Sequence, residues 1–171
     1  MQKTRPKRTG EMTKIIIVSD THGNVSAIEK LMPRIAENDY FFHLGDGCMD
    51  VKQVWKEYPD KVYQCRGNCD GFTPTPAEGE LEVEYVKIFY CHGDKYGVKS
   101  SLQMLASEAK KRGCEIALYG HTHKADVTEI DGVTLINPGS MKRWVDAGGS
   151  YCYLVIHKDK ITPVIVGESV F

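Results

Sequence analysis

Seven side chains able to bind a metal recur in this chain at one kind of place. Asp20 and His22 lie in Ser19-Asp20-Thr21-His22-Gly23-Asn24, Asp46 in Gly45-Asp46-Gly47, and Asn68 in Gly67-Asn68-Cys69-Asp70-Gly71. His92 opens His92-Gly93-Asp94, and His121 and His123 share Gly120-His121-Thr122-His123. Their donors are carboxylate and amide oxygens and imidazole nitrogens, a set that suits divalent cations and requires no thiolate. Any one of these segments alone is weak, because a lone Asp-x-His or Gly-Asp is more often a helix cap or a turn. Their joint occurrence is not weak. Each follows a short apolar run, and the ends of strands in a shared sheet converge in space, so all seven would meet in one cleft. Glycines at 23, 45, 47, 67, 71, 93 and 120 permit the turns that such crowding needs.

The elements that must position these loops can be read from periodicity. Residues 15–18 are a continuous apolar run, short enough for a buried strand, and Asn24 suits a helix N-cap. Apolar positions 28, 31, 32 and 35 predict a helix over 25–37, followed by a buried strand over 40–44, a helix over 49–58 and a strand over 62–65. After Pro74 and Pro76 the pattern changes: 80–90 alternates like paired strands, 98–112 reads as a helix and 116–119 as a strand. Asp131-Gly132 predicts a hairpin turn between 125–130 and 133–136, and Lys158-Asp159 another between 151–157 and 160–166. Helices early and strands late predict an α/β (α+β) fold, a four-layer αββα sandwich of two mixed sheets flanked by helices.

The 171 residues are 42% hydrophobic and 26% charged, as expected for one globular domain with a core that needs no disulfide or structural zinc. A net charge of −1 offers no field to collect nucleic acid or acidic lipid, and no apolar run approaches a membrane span. Both partners are disfavoured, and homo-oligomerisation stays open. Cysteines 48, 65, 69, 91, 114 and 152 show no Cys-x-x-Cys pair and no preceding signal peptide, which predicts reduced thiols and a cytoplasmic location. Residues 1–13, with Lys3, Arg5, Lys7 and Arg8, read as a basic, flexible extension ahead of a domain over 14–171. Nucleic-acid binding by this tail is the less favoured alternative.

In order, the motifs Asp-x-His, Gly-Asp, Gly-Asn-x-Asp, His-Gly and Gly-His-Thr-His resemble the calcineurin-like metallophosphoesterase superfamily over about residues 14 to 166. Within it the chain looks most like the small single-domain bacterial and archaeal phosphodiesterases, which share the Asn-Cys-Asp loop and the Asn-Pro-Gly-Ser segment found here at 137–140. The resemblance implies two divalent metals. Asp20, His22 and His123 would hold the first, Asn68, His92 and His121 the second, and Asp46 would bridge them. Mn²⁺ is the expected ion, with Ni²⁺, Fe²⁺, Zn²⁺ and Mg²⁺ as alternatives. Such a pair can share a water, lower its pKa and clamp a phosphoryl group in line, so the expected reaction is hydrolysis of a small phosphate ester by a bridging hydroxide. Asp46, Asn68, Cys69 and His92 are the candidate catalytic residues.

Cys69 departs from the wider superfamily, where a histidine at this position is thought to protonate the leaving group. A thiol is the poorer acid, with a reference pKa of about 8.5 against about 6.5 for imidazole, so a diester substrate with a good leaving group is expected. Trp144 and Lys142-Arg143 replace a Pro-Arg pair common in relatives, which leaves Arg143 without an assigned phosphate-binding role. His43, inside a strand, reads as a satisfied core histidine or one supporting a ligand, and His157 as solvent-facing. Cys91 alternates away from His92 and, with Cys48, Cys65, Cys114 and Cys152, reads as core. The competing reading is a partner-binding scaffold, since the retromer scaffold subunit has this fold. A structural zinc protein fits worse, the ligands being scattered along the chain and including an amide.

Overall fold

The computed structural model describes residues 10–142 and 149–167. The first half runs β1 (Thr13–Val18), α1 (Val25–Glu37), β2 (Tyr40–His43), α2 (Lys52–Glu57) and β3 (Val62–Gln64). Then come β4 (Glu78–Val83), β5 (Val86–Cys91), α3 (Gln103–Lys111), β6 (Ile116–Leu118), β7 (Ala125–Ile130), β8 (Val133–Pro138), β9 (Ser150–His157) and β10 (Lys160–Gly167). They form two five-stranded sheets, β10-β9-β1-β2-β3 and β4-β5-β6-β8-β7. Both are mixed. β1, β2 and β3 run parallel and so do β5, β6 and β8, while the remaining pairings are antiparallel.

Strand periodicity sorts the apolar runs into layers. Ile15, Ile17, Phe42 and Leu44 face Ile88, Tyr90, Ile116, Leu118 and Ile136 between the sheets. Ile16, Val18 and Phe41 turn outward onto Ile28, Leu31 and Ile35 of α1 and Val54 of α2. On the far side Phe89, Cys91, Ala117 and Leu135 pack against Leu105, Ala106 and Ala109 of α3. Strands covered on both faces explain why the sequence reads as unbroken apolar runs rather than alternation. The result is the expected four-layer αββα sandwich.

Several boundaries differ from the sequence reading, each for a local reason. β1 takes in Thr13, which is fully buried. Asn24 occupies the N-cap position of α1 but makes no side-chain cap, because its amide donates to Met141 O (2.7 Å) and its oxygen accepts from Ser26. α2 starts at Lys52 rather than 49, with Asp50 turned toward the loop after β1. α3 starts at Gln103 rather than 98, because residues 97–101 form a turn in which Ser100 N (2.9 Å) and Ser101 N (3.2 Å) both donate to Gly97 O. Asp131 and Gly132, at φ +53° and +81°, make the expected hairpin turn. No helix among the described residues is long and apolar enough to cross a membrane. The basic segment up to residue 9, Arg143 and Trp144 lie outside the described residues.

Candidate metal centre

Parallel β1, β2 and β3 release their loops at one edge of their sheet, and β5 and β6 do the same in the other. Backbone hydrogen bonds join these loops: Asp20 N to Gly45 O (3.0 Å), His22 N to Asp46 O (3.0 Å) and Gly120 N to His92 O (2.9 Å). The two sheets are tied where His121 N donates to Asp20 Oδ2 (3.0 Å). Two glycines leave room for this. A Cβ on Gly67 would strike the Asp46 carboxylate, and one on Gly120 would strike Ser19 Oγ and Asp20 Oδ2.

The backbone at the site is unusual. Among the described residues, eight that are not glycine have positive φ, and five of them are Asp20 (+53°), His22 (+43°), Asp46 (+55°), His121 (+68°) and His123 (+60°). The other three, Glu84, Asp131 and Lys158, sit in hairpin turns. A left-handed conformation costs a non-glycine residue about 1–2 kcal/mol, and such residues cluster where function demands them.

The side chains converge in two groups that share a border. Asp20 Oδ1 lies 3.1 Å from His123 Nε2 and 3.7 Å from His22 Nε2, and the two imidazole nitrogens are 3.3 Å apart. Asp46 Oδ2 lies 3.3 Å from His92 Nε2, whose other close neighbour is His121 Nδ1 at 3.2 Å. Asp46 Oδ2 is also 3.7 Å from His22 Nε2, so it faces one imidazole of each group. Six of the seven expected side chains thus meet directly. Asn68 is exposed at the rim with its amide on Cys69 Sγ (3.4 Å), and joins the cluster through Cys69 N, which donates to Asp46 Oδ1 (2.8 Å).

Charge and hydrogen bonding prepare these donors. Ser19 Oγ and His121 N occupy Asp20 Oδ2, while the buried Oδ1 has no hydrogen-bond donor. His92 Nδ1 lies 2.7 Å from Leu44 O, which holds a proton there and aims Nε2 at the carboxylates, where a bound cation would take the place of the Nε2 proton. Burial works to raise the Asp46 pKa, but hydrogen bonds from His92 and Cys69 N outweigh it and hold the carboxyl well below the usual range. Burial likewise works to lower His92, and Asp46 and Asp20 reverse it. An orphaned buried carboxylate oxygen beside imidazole nitrogens packed within 3.3 Å of one another is an arrangement that divalent cations complete. The donor set fits the metal pair.

A supporting network surrounds the donors. His43, fully buried and pushed down to about 4 by burial, accepts from Gly45 N at Nδ1 (3.3 Å) and faces Thr21 Oγ1 at Nε2 (3.1 Å). Thr21 in turn donates to Asp50 (2.5 Å), which also accepts from Gly23 N (2.8 Å). Asp70 accepts from the backbone N–H groups of Asp46, Gly47, Cys48 and Gly67 at 2.7–2.8 Å, clamping the loops after β2 and β3 together. Ser140 Oγ donates to Asp20 O (2.9 Å), and Asn137 holds Gly120 O and Thr122 Oγ1 (3.0 Å each), so the Asn-Pro-Gly-Ser segment braces the histidine loop. The sequence gives Asp50 and Asp70 no role of their own: Asp70 closes the Gly-Asn-x-Asp motif, and Asp50 is marked only by its place after Gly45-Asp46-Gly47. The remaining residues fall as expected, with Cys48, Cys65, Cys91, Cys114 and Cys152 buried and His157 exposed.

Comparison with known proteins agrees with this geometry. Residues 13–159 match the calcineurin-like phosphoesterase superfamily domain. The chain is 31% identical over 150 residues to the probable metallophosphoesterase YsnB of Bacillus subtilis, covering 86% of this chain and 87% of that one. A predicted phosphoesterase of Streptococcus pneumoniae superposes with a TM-score of 0.81 at 24% identity, over 93% of this chain and 91% of that one. Vacuolar protein sorting 29 of Cryptosporidium parvum shares the fold with a TM-score of 0.72 at 19% identity, over 91% and 97%. With a match running from β1 to the turn before β10, the chain belongs to the calcineurin-like phosphoesterase superfamily.

Proposed function

We propose that the domain over 14–171 is a two-metal phosphodiesterase in which Asp20, His22 and His123 hold one divalent cation, Asn68, His92 and His121 hold the other, and Asp46 joins them. The observation that carries this reading is Asp20 Oδ1, buried without a hydrogen-bond donor and aimed at His123 and His22. Leaving one oxygen of a buried carboxylate without a donor costs about 1–3 kcal/mol, which a bound cation would remove. The position of Asp46 Oδ2 between His22 and His92 supports the bridging role. Mixed oxygen and imidazole donors favour Mn²⁺, with Ni²⁺, Fe²⁺, Zn²⁺ and Mg²⁺ as alternatives.

When bound, the cations supply Lewis-acid charge and a water acidic enough to attack phosphorus in line. The protein's own groups do the rest. Asp46 stays ionised, the His92 ring is held in orientation by Leu44 O, and Asn68 at the rim is placed to donate to a phosphoryl oxygen. A diester, carrying one charge fewer than a monoester dianion, is the preferred small-molecule substrate. Free, mostly buried cysteines fit a cytoplasmic setting.

The alternative, a protein-binding scaffold of the same fold, has the likeness to vacuolar protein sorting 29 in its favour, and it requires no turnover. Metal-loaded protein assayed on matched aryl mono- and diesters separates the two readings. Asp46→Ala should cut diester hydrolysis by about 10²–10³-fold or more while far-ultraviolet circular dichroism is unchanged. An active, folded Asp46→Ala protein contradicts the proposed centre.

A further inference from the structure

A third set of donors borders the two groups described above. His22, Asp46 and Cys69 each offer one ligand atom, all within 4.8 Å of one another, from the loops after β1, β2 and β3. Cys69 N donates to Asp46 Oδ1 (2.8 Å), which holds the residue on that carboxylate, and the Asn68 amide approaches Sγ at 3.4 Å. Asp20 Oδ1, fully buried and without a hydrogen-bond donor, stands 3.7 Å from the His22 Nε2 of this set. Of the six cysteines, Cys69 is the one exposed, whereas the other five are buried. Thiolate, imidazole and carboxylate on one face form a softer donor set than the oxygen and nitrogen ligands beside it, and thiolate ligands select soft or borderline cations.

We propose that His22, Asp46 and Cys69 form a site for one thiophilic divalent cation, Zn²⁺ or Cd²⁺, that competes with the hydrolytic metal pair. The inference goes beyond the hydrolytic reading but rests on it for the ligand roles of His22 and Asp46. Competition follows from composition, because the site takes one ligand from the first group and the carboxylate that faces both. On binding, the Cys69 S–H bond is exchanged for a sulfur–metal bond and its proton passes to the buffer, so no oxidant or reductant takes part. Thiophilic ions should therefore switch the centre away from Mn²⁺-supported chemistry.

Titration of metal-free protein with Cd²⁺, read by thiolate-to-cadmium charge-transfer absorption, provides the test. The expected result is a band equivalent to one thiolate per chain that is displaced by excess Mn²⁺ and absent in Cys69→Ser. His22→Gln and Asp46→Asn should each weaken Cd²⁺ binding by about tenfold or more. A band that survives in Cys69→Ser overturns the proposal. So does Cd²⁺ affinity unchanged in both His22→Gln and Asp46→Asn, since a surface thiol acting alone would then explain the signal. A Cys69-dependent band that both substitutions weaken, in a protein that hydrolyses no ester with Mn²⁺, supports this site and contradicts the hydrolytic reading alone.

Discussion

Cys69 governs what the proposed reaction can do with its leaving group. A thiol starts as a weaker acid than imidazole, and its environment pushes it further up, through the burial it has and the carboxylates of Asp46, Asp70 and Asp20. It can release a proton to a leaving oxygen only at a large cost, so esters whose leaving group needs little protonation should react best. Cys69→His should then raise the rate for alkyl diesters by about tenfold or more and change aryl diesters little, since general acids contribute most where the leaving group is poor. The slope of rate against leaving-group pKa, measured for both proteins at saturating metal, checks this. An unchanged slope in a Cys69→His protein that still binds both cations would mean that Cys69 only fills space beside Asn68.

At the scale of loops and strands, the site depends on residues that touch no proposed ligand atom. The chain from Gly45 N through His43 and Thr21 to Asp50 ties the loops after β1 and β2. His43→Phe keeps the bulk and removes both hydrogen bonds, so metal affinity measured by calorimetry should fall about 10–100-fold with little loss in the apo melting temperature. Unchanged affinity would reduce His43 to core filling. Asp70 presents a different prediction. Burial works to raise its pKa, the backbone donors of Cys48, Gly67 and Gly47 prevail, and the folded value lies below the ordinary one. Its contribution to stability is therefore complete above the ordinary carboxylate pKa and is lost as pH falls through the folded value. Asp70→Asn should destabilise the metal-free protein by about 2–3 kcal/mol at neutral pH, and the gap to wild type should close in acid. A gap that persists there assigns the effect to something other than the charge.

These same residues mark how far the sequence could be read. Residues 25–37 announced a helix through the apolar positions 28, 31, 32 and 35, and α1 has those bounds, because one buried stripe is enough to define it. α3 begins later than its apolar period suggests, because the turn held by Ser100 N and Ser101 N on Gly97 O leaves no mark on that period. The proposed ligands could be found because each follows a strand and pairs with a glycine. The roles of Asp50 and Asp70 could not, since they consist of hydrogen bonds to groups on other loops, up to 29 positions away for Asp50 and up to 24 for Asp70, and any acid in a turn looks the same in sequence.

For the whole molecule, the sandwich explains how so strained a cluster persists. Five left-handed non-glycine residues and a buried carboxylate with one oxygen lacking a donor would not survive on a floppy loop. Here they stand in short loops anchored to strands packed on both faces, between two sheets tied together by His121 N on Asp20 and by His92 Nδ1 on Leu44 O. The fold holds the donors in place before any ligand arrives, which lowers the reorganisation that binding would otherwise require. Hydrolysis by this domain would require those donors to hold a pair of cations. Elemental analysis of protein saturated with Mn²⁺ and then passed through a desalting column tests that most directly: the expected result is two ions per chain, reduced in Asp46→Ala, and a saturated stoichiometry of one or none would contradict the two-metal centre.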